Sequence, residues 1–247
     1  MVTATQTSVV IGASAGLGRA LAERLAERGH SLFLVASDER DLAAAAADLR
    51  LRFRVPVTTL ALDLGDCDPA TLRAQSIASL GHINNLFYIA GYSTMDTGPR
   101  EDEEVRRLVA INFTSAVRLV NVLLDDLIRS QHGNLVGVGS VAAIRGRKVN
   151  SIYGAAKCGL ETYFAALRHY LAGKSCSVQF YRLGYLETQM TLGQNLAFPP
   201  LAPDAAAMVI VGNLGRDLGS VYLPPWWGLI AAVVRLTPWA LFKRLER

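Results

Sequence analysis

Seven short runs rich in β-branched and aromatic residues alternate with segments of helical composition, and this alternation constrains the fold more than any other feature of the chain. The runs are SVVI (8–11), HSLFLVAS (30–37), VPVTTLALDL (55–64), NNLFYIAG (84–91), GNLVGVGS (133–140), CSVQFYRLG (176–184) and GSVYLP (219–224). Between them lie Ala/Leu-rich or amphipathic stretches of helical length, including a long one over 101–131 whose acids cluster at its start, where the helix dipole favours them. Strands joined by helices need crossover connections, so the sheet is expected to be parallel and covered on both faces. No repeat period divides the chain. The Ala run at 43–47 is a strong helix former, and irregular insertions are expected near 92–100 and 189–203. At 247 residues and 51% hydrophobic content, the chain can bury one large core. The expected architecture is therefore α/β, a single doubly wound parallel sheet.

The first strand runs into a glycine turn and then a helix. GASAGLG places Gly12, Gly16 and Gly18 around Ser14 and Leu17. Glycines permit a tight turn and let a pyrophosphate approach the backbone, while the helix N-terminus offers free N–H groups to the phosphates. A dinucleotide is the expected ligand. In such sites an acid at the end of the second strand accepts hydrogen bonds from the NAD ribose and repels a 2′-phosphate. That place is held by Ala36, with Ser37 next and Asp38 and Arg40 close behind. The missing acid leans the expectation towards NADP over NAD.

Tyr153 and Lys157 stand four residues apart in NSIYGAAKCGLE, so on a helix they share a face. A solvated surface pair is one explanation. The other is an acid whose pKa is lowered by a neighbouring cation. The surrounding composition excludes several classes. Net charge is +4, and no Lys/Arg run points to nucleic acid. Cys67, Cys158 and Cys176 lack the spacing of a disulfide framework or zinc site and fit a reducing compartment, so no metal is expected. The N-terminal segment lacks a secretory pattern, and no uncharged apolar stretch reaches spanning length.

Taken in order, these features resemble the short-chain dehydrogenase/reductase family across nearly the whole chain. Gly12, Gly16 and Gly18 match its cofactor turn, Asp63–Leu64 its adenine-contacting pair, and Ala90–Gly91 the end of its N-N-A-G motif. Asn112 matches its helix asparagine, Ser140 its serine, Tyr153 and Lys157 its Y-x-x-x-K, and Thr188 its threonine at the nicotinamide carboxamide. The resemblance implies a Rossmann-type domain that interconverts a ketone and a secondary alcohol with NAD(P)(H). Tyr153 would be the general acid or base, with its pKa lowered by Lys157 and the oxidised nicotinamide. Ser140 would orient the carbonyl, Lys157 would also hold the nicotinamide ribose, and Asn112 would support a proton relay. Ser14, Leu17, Ser37, Asp63, Leu64, Ala90, Gly91 and Thr188 would complete the cofactor site. The pattern departs at Tyr88 and Ile89, which replace two asparagines, at Leu183, which replaces a proline, and at Ile11. The asparagine replacements are expected to touch sheet packing more than catalysis. The family also implies a homo-oligomer, a dimer or tetramer, acting on a small molecule in the cytoplasm. An alternative is a dinucleotide-binding sensor or scaffold without turnover.

The expected catalytic domain covers 1–223, and 224–247 form an extension in which Trp226, Trp227, Trp239 and Phe242 are interspersed with Arg235, Lys243, Arg244 and Arg247. Two readings of it stay open. It can lie at a membrane surface, where tryptophan and arginine suit headgroup depth, or it can pack on its own domain or a second subunit. The tail, with INFTSAV and ETQM, resembles family members that act on polyprenyl-phosphate sugars.

Overall fold

The computed structural model describes residues 5–94 and 98–244. Each apolar run forms a strand: β1 (Thr7–Ile11), β2 (Ser31–Ala36), β3 (Val57–Ala61), β4 (Asn85–Tyr88), β5 (Gly133–Ser140), β6 (Cys176–Leu183) and β7 (Gly219–Leu223). They pair in the order β3-β2-β1-β4-β5-β6-β7, parallel throughout. The helices are α1 (Gly16–Glu27), α2 (Glu39–Phe53), α3 (Pro69–Leu80), α4 (Asp102–Val109), α5 (Ser115–Arg129), α6 (Ser151–Tyr170), α7 (Pro203–Gly212), α8 (Trp227–Leu236) and α9 (Trp239–Phe242).

Side chains alternate across a strand, and two cores result. Val9 and Ile11 of β1 join Phe33, Leu119, Leu123, Leu160 and Phe164 on one face, whereas Val10 joins Leu21, Leu25, Leu34, Leu42, Val136 and Ile210 on the other. Each such buried Leu or Phe stabilises the fold by about 1.5–3 kcal/mol. The sheet reverses direction of growth between β1 and β4, and the cleft at the carboxyl ends of strands there is where open α/β sheets bind ligands.

Two features depart from the expected elements. The long helix over 101–131 is interrupted by a π-helical turn, Ala110–Thr114, between α4 and α5. Asp102–Arg129 as a whole is long and apolar enough to cross a bilayer, yet Leu108, Leu119, Leu123 and Leu127 along it are fully buried. Helix α7 follows the second irregular segment; Pro203 at its first turn fits a helix start, and its apolar residues 206, 207, 210 and 211 face the core. Of the first insertion, residues 95–97 lie outside the described residues.

Candidate active site

The glycine turn closes tightly on its neighbours. Gly12 has φ +97°, a conformation that favours glycine, and a Cβ there would come within 2.7 Å of the Ala90 nitrogen. A Cβ on Gly18 would overlap the Gly12 carbonyl. Gly12 and Ala13 both donate to the Val35 carbonyl, which ties the turn to β2. Helices α2 and α3 begin with Asp38 and Asp68, whose carboxylates accept from first-turn N–H groups. Helix α1 has no such cap and no acid in its first turn. Its first N–H groups are left for another acceptor, which fits a dinucleotide phosphate. Gly16, at φ +51°, faces Thr188, whose Cγ2 would lie 3.1 Å from an added Cβ. Thr188 therefore sits over the turn from the far side of the sheet, in the loop after β6. Ser14 is half-buried inside the turn and Leu17 is buried beneath it.

Ala36 ends β2 buried, and Ser37 is exposed beside it. The Asp38 carboxylate accepts from the Asp41 N–H at 2.9 Å as the cap of α2. Asp63 and the buried Leu64 follow β3, with Asp63 accepting from the Gly65 N–H.

Ser140 ends β5, and its Oγ accepts from the Ala142 N–H at 3.1 Å. The Tyr153 hydroxyl hydrogen-bonds Ser140 from the first turn of α6. A Cβ on Gly154 would meet the Ala142 carbonyl at 3.0 Å, so glycine lets α6 approach this closely. One turn on, Lys157 is 2% exposed and donates from Nζ to the carbonyls of Ala90 and Val138, each at 3.2 Å. An ammonium carries three protons, so one donor remains for a further acceptor such as a ribose hydroxyl. Burial holds Lys157 well below the ordinary lysine range, at about 8. Tyr153 departs from expectation. Burial pushes its phenol above the ordinary value, and the Ser140 hydrogen bond offsets this only in part. Lys157 Nζ lies 5.9 Å from the centre of the Tyr153 ring and is tied to carbonyls, so the protein's own cation does not outweigh the burial.

Asn112 lies in the π-helical turn, fully buried. Its amide donates to the carbonyls of Tyr92 at 2.6 Å and Leu108 at 2.9 Å, and its Oδ1 accepts from the Tyr92 N–H at 3.1 Å. Both amide protons and one Oδ1 lone pair are used, two of these three bonds clamping the backbone of Tyr92 beyond β4. Gly91 stands between: a Cβ there would lie 3.4 Å from Lys157 Nζ and 3.5 Å from Asn112 Oδ1. Asn112, Ser140, Tyr153 and Lys157 are thus gathered, with Ala90, Gly91 and the glycine turn, at the carboxyl ends of β1, β4 and β5. A depression of about 610 Å³ lies elsewhere. It opens at the amino ends of the strands. Its buried polar groups His30, Asn85 and Asn134 already bond one another or Ser8, leaving little convergent chemistry.

The extension, whose Trp226 and Trp227 the sequence singled out, packs on its own domain as one of the two readings allowed, and forms an aromatic wall with Tyr185 and Phe198 that the sequence did not place. Trp227 is buried against Gly184, where any Cβ would clash with its indole, and it packs on Tyr185 and Phe198 at 5.5 and 5.1 Å between ring centres. Trp226 stacks on Trp227 at 4.9 Å. Arg145, five residues after Ser140, donates to the carbonyls of Val234 and Thr237 and lies 3.9 Å over the Phe242 ring. The glycine before the threonine loop was the available signal for Trp227; none marked Arg145.

The family model described as short chain dehydrogenase matches residues 6–197. A Myxococcus xanthus protein named uncharacterized oxidoreductase is 28% identical over 98% of this chain and 96% of its own length. The Escherichia coli 3-oxoacyl-(acyl-carrier-protein) reductase is 30% identical over 74% of this chain and 75% of its own. Among solved structures, a short-chain dehydrogenase from Sphingobium yanoikuyae in complex with NADPH is 28% identical, with a TM-score of 0.78 over 92% of this chain and 93% of that one.

Proposed function

The chain belongs to the short chain dehydrogenase family and is an NAD(P)-dependent oxidoreductase, and from that premise we propose that Asn112, Ser140, Tyr153 and Lys157 carry the interconversion of a ketone and a secondary alcohol. The observation that carries this reading is the meeting of the Ser140–Tyr153 hydroxyl pair and buried Lys157 beside the glycine turn. The bound dinucleotide supplies the hydride. Gly12, Ser14, Gly16, Leu17 and Gly18 hold its phosphates and Asp63 and Leu64 its adenine. Ala90, Gly91 and Lys157 take its nicotinamide ribose, and Thr188 the carboxamide. In reduction Tyr153 donates its proton to the carbonyl oxygen, and a phenol held above its ordinary pKa is protonated and ready for that step at neutral pH. Ser140 donates to the same oxygen and fixes its place.

The cofactor in this reading is NADP in preference to NAD. Ala36 brings no carboxylate to the ribose, the Asp38 carboxylate is held in the α2 cap, and exposed Ser37 and Arg40 flank the position. The Sphingobium relative binds NADPH.

The substrate we favour is a keto-sugar on a polyprenyl-phosphate carrier, met at the cytoplasmic surface of a membrane. Helix α8 buries Trp227 and Ala231 but turns Leu229, Val233 and Leu236 outward, with Trp226, Trp239 and Leu241 continuing the stripe. Arg235, Lys243 and Arg244 lie exposed beside it, and Arg147 and Lys148 lie exposed between Ser140 and Tyr153. An apolar stripe edged with cations suits an anionic lipid surface.

Tyr153→Phe tests the chemistry. It keeps the ring and removes the acid, so ketone reduction by NADPH falls about 10²–10⁴-fold, while NADPH binding, followed by fluorescence, is retained. Turnover near that of the parent protein would refute the assignment.

A further inference from the structure

We propose that Tyr88, the residue standing in place of the family asparagine, is a positioning residue that holds the π-helical turn in the geometry Asn112 needs. In a continuous α-helix the Ile111 carbonyl would accept from the Ser115 N–H. Here the Ser115 N–H reaches back to Ala110 instead. The Ile111 carbonyl has lost that partner, and the Tyr88 hydroxyl donates to it at 2.6 Å. The same hydroxyl lies 2.6 Å from Ser115 Oγ, whose single proton goes to it while Tyr88 donates to Ile111, the Ser115 Oγ lying 3.3 Å from that carbonyl. All of this is sealed from water: Tyr88 and Asn112 are 0% exposed and Ser115 2%. A buried carbonyl without a partner is costly, so the phenol removes the main penalty of the π turn. Burial also raises the Tyr88 phenol above its ordinary pKa, so it remains a donor.

The turn feeds directly into the site. Asn112 is its central residue and clamps both backbone groups of Tyr92. Two residues before Tyr92, the Ala90 carbonyl holds Lys157. Tyr88 itself ends β4, registered between Ile11 and Gly137, so it is fixed by the sheet and cannot follow the helix if the turn shifts. A rigid strand residue thus sets the helix, the helix sets Asn112, and Asn112 sets the strand-end backbone on which Lys157 rests. π-Bulges recur at functional sites, and a buried hydroxyl wedge gives this one its physical cause.

The inference rests on the proposed roles of Asn112 and Lys157, and Tyr88→Phe tests it in the full-length protein. Two arms are read, amide hydrogen exchange and NADPH-dependent reduction of ethyl acetoacetate. We expect the Tyr92 and Ser115 amides to exchange at least about tenfold faster, because the Ile111 carbonyl keeps only the longer Ser115 Oγ contact and the turn loses roughly one hydrogen bond. Turnover should fall about tenfold and its pH profile should shift, with NADPH affinity and KM for the ketone unchanged. Unchanged exchange at these amides overturns the proposal, as does a variant that fails to fold or to bind NADPH, which would make the hydroxyl a general folding requirement. Asn112→Ala separates the two levels. If it leaves turnover intact, the role of Asn112 falls; if it cripples turnover while Tyr88→Phe changes neither exchange nor rate, only the role of Tyr88 falls.

Discussion

Lys157 is the residue whose chemistry costs the fold most visibly. Its ammonium is buried beneath the strand ends with two carbonyl partners, and burial lowers its pKa from 10.5 to about 8. Between those two values the unfolded chain holds a proton that the folded chain has released. Folded stability therefore rises with pH through that window, and below about pH 8 the full cost of the buried charge is present. Lys157→Met is expected to be more stable than the parent protein at pH 7, by on the order of 1 kcal/mol or more, and to lose the stability gain between pH 8 and 10.5. Urea unfolding at the two ends of the window measures both. A variant that keeps the same rise would show that another group titrates there. Tyr153 carries the opposite lesson. Its i, i+4 spacing from Lys157 was visible in the sequence, but the direction of its pKa depends on burial, which spacing cannot report.

Helices α8 and α9 act as one element with two apolar sides. The inward side fills a place that Gly184 leaves open, and Arg145 fastens it by donating to carbonyls at the end of α8 and stacking on Phe242. The outward side leaves Leu229 73% and Leu236 82% exposed. Removing the whole segment would strip the wall formed by Trp227, so point changes on the outer stripe isolate the membrane question. Full-length protein is expected to float with phosphatidylglycerol vesicles at low salt, each basic residue near the surface adding roughly 1 kcal/mol. Leu229→Glu with Leu236→Glu should abolish flotation and leave NADPH binding intact. Parent protein that never floats but doubles in mass with concentration would assign the stripe to a second copy and remove the main support for a lipid-linked substrate.

The proposed site lies where the sheet reverses between β1 and β4, and cofactor choice belongs to this scale because, in that proposal, β2, α2 and the glycine turn would shape the ribose pocket together. NADPH is expected to bind roughly tenfold more tightly than NADH, about 1.4 kcal/mol, by fluorescence titration; tighter NADH binding would reverse the reading of Ala36 and Ser37. All seven strands and the glycine turn were legible in the sequence, because local periodicity and short motifs report what neighbouring residues do, and the same motifs named Asn112, Ser140, Tyr153 and Lys157, whose catalytic role remains a proposal. Helix α7 was not read, since its apolar residues cover most of its surface and blur the helical period. The π turn was invisible because it depends on a phenol arriving from a strand 23 residues earlier. Trp226 and Trp227 were named in the extension, but their seat against Gly184, at the adjoining carboxyl ends of β6 and β7, depends on the fold. By itself the sequence determined the order of elements and the residue types delivered to the strand ends. Tertiary structure alone decided which of them are desolvated, which hydrogen bonds they spend on the backbone, and which side of α8 faces out. Those outcomes depend on contacts between segments far apart in the chain, where burial sets both pKa and packing.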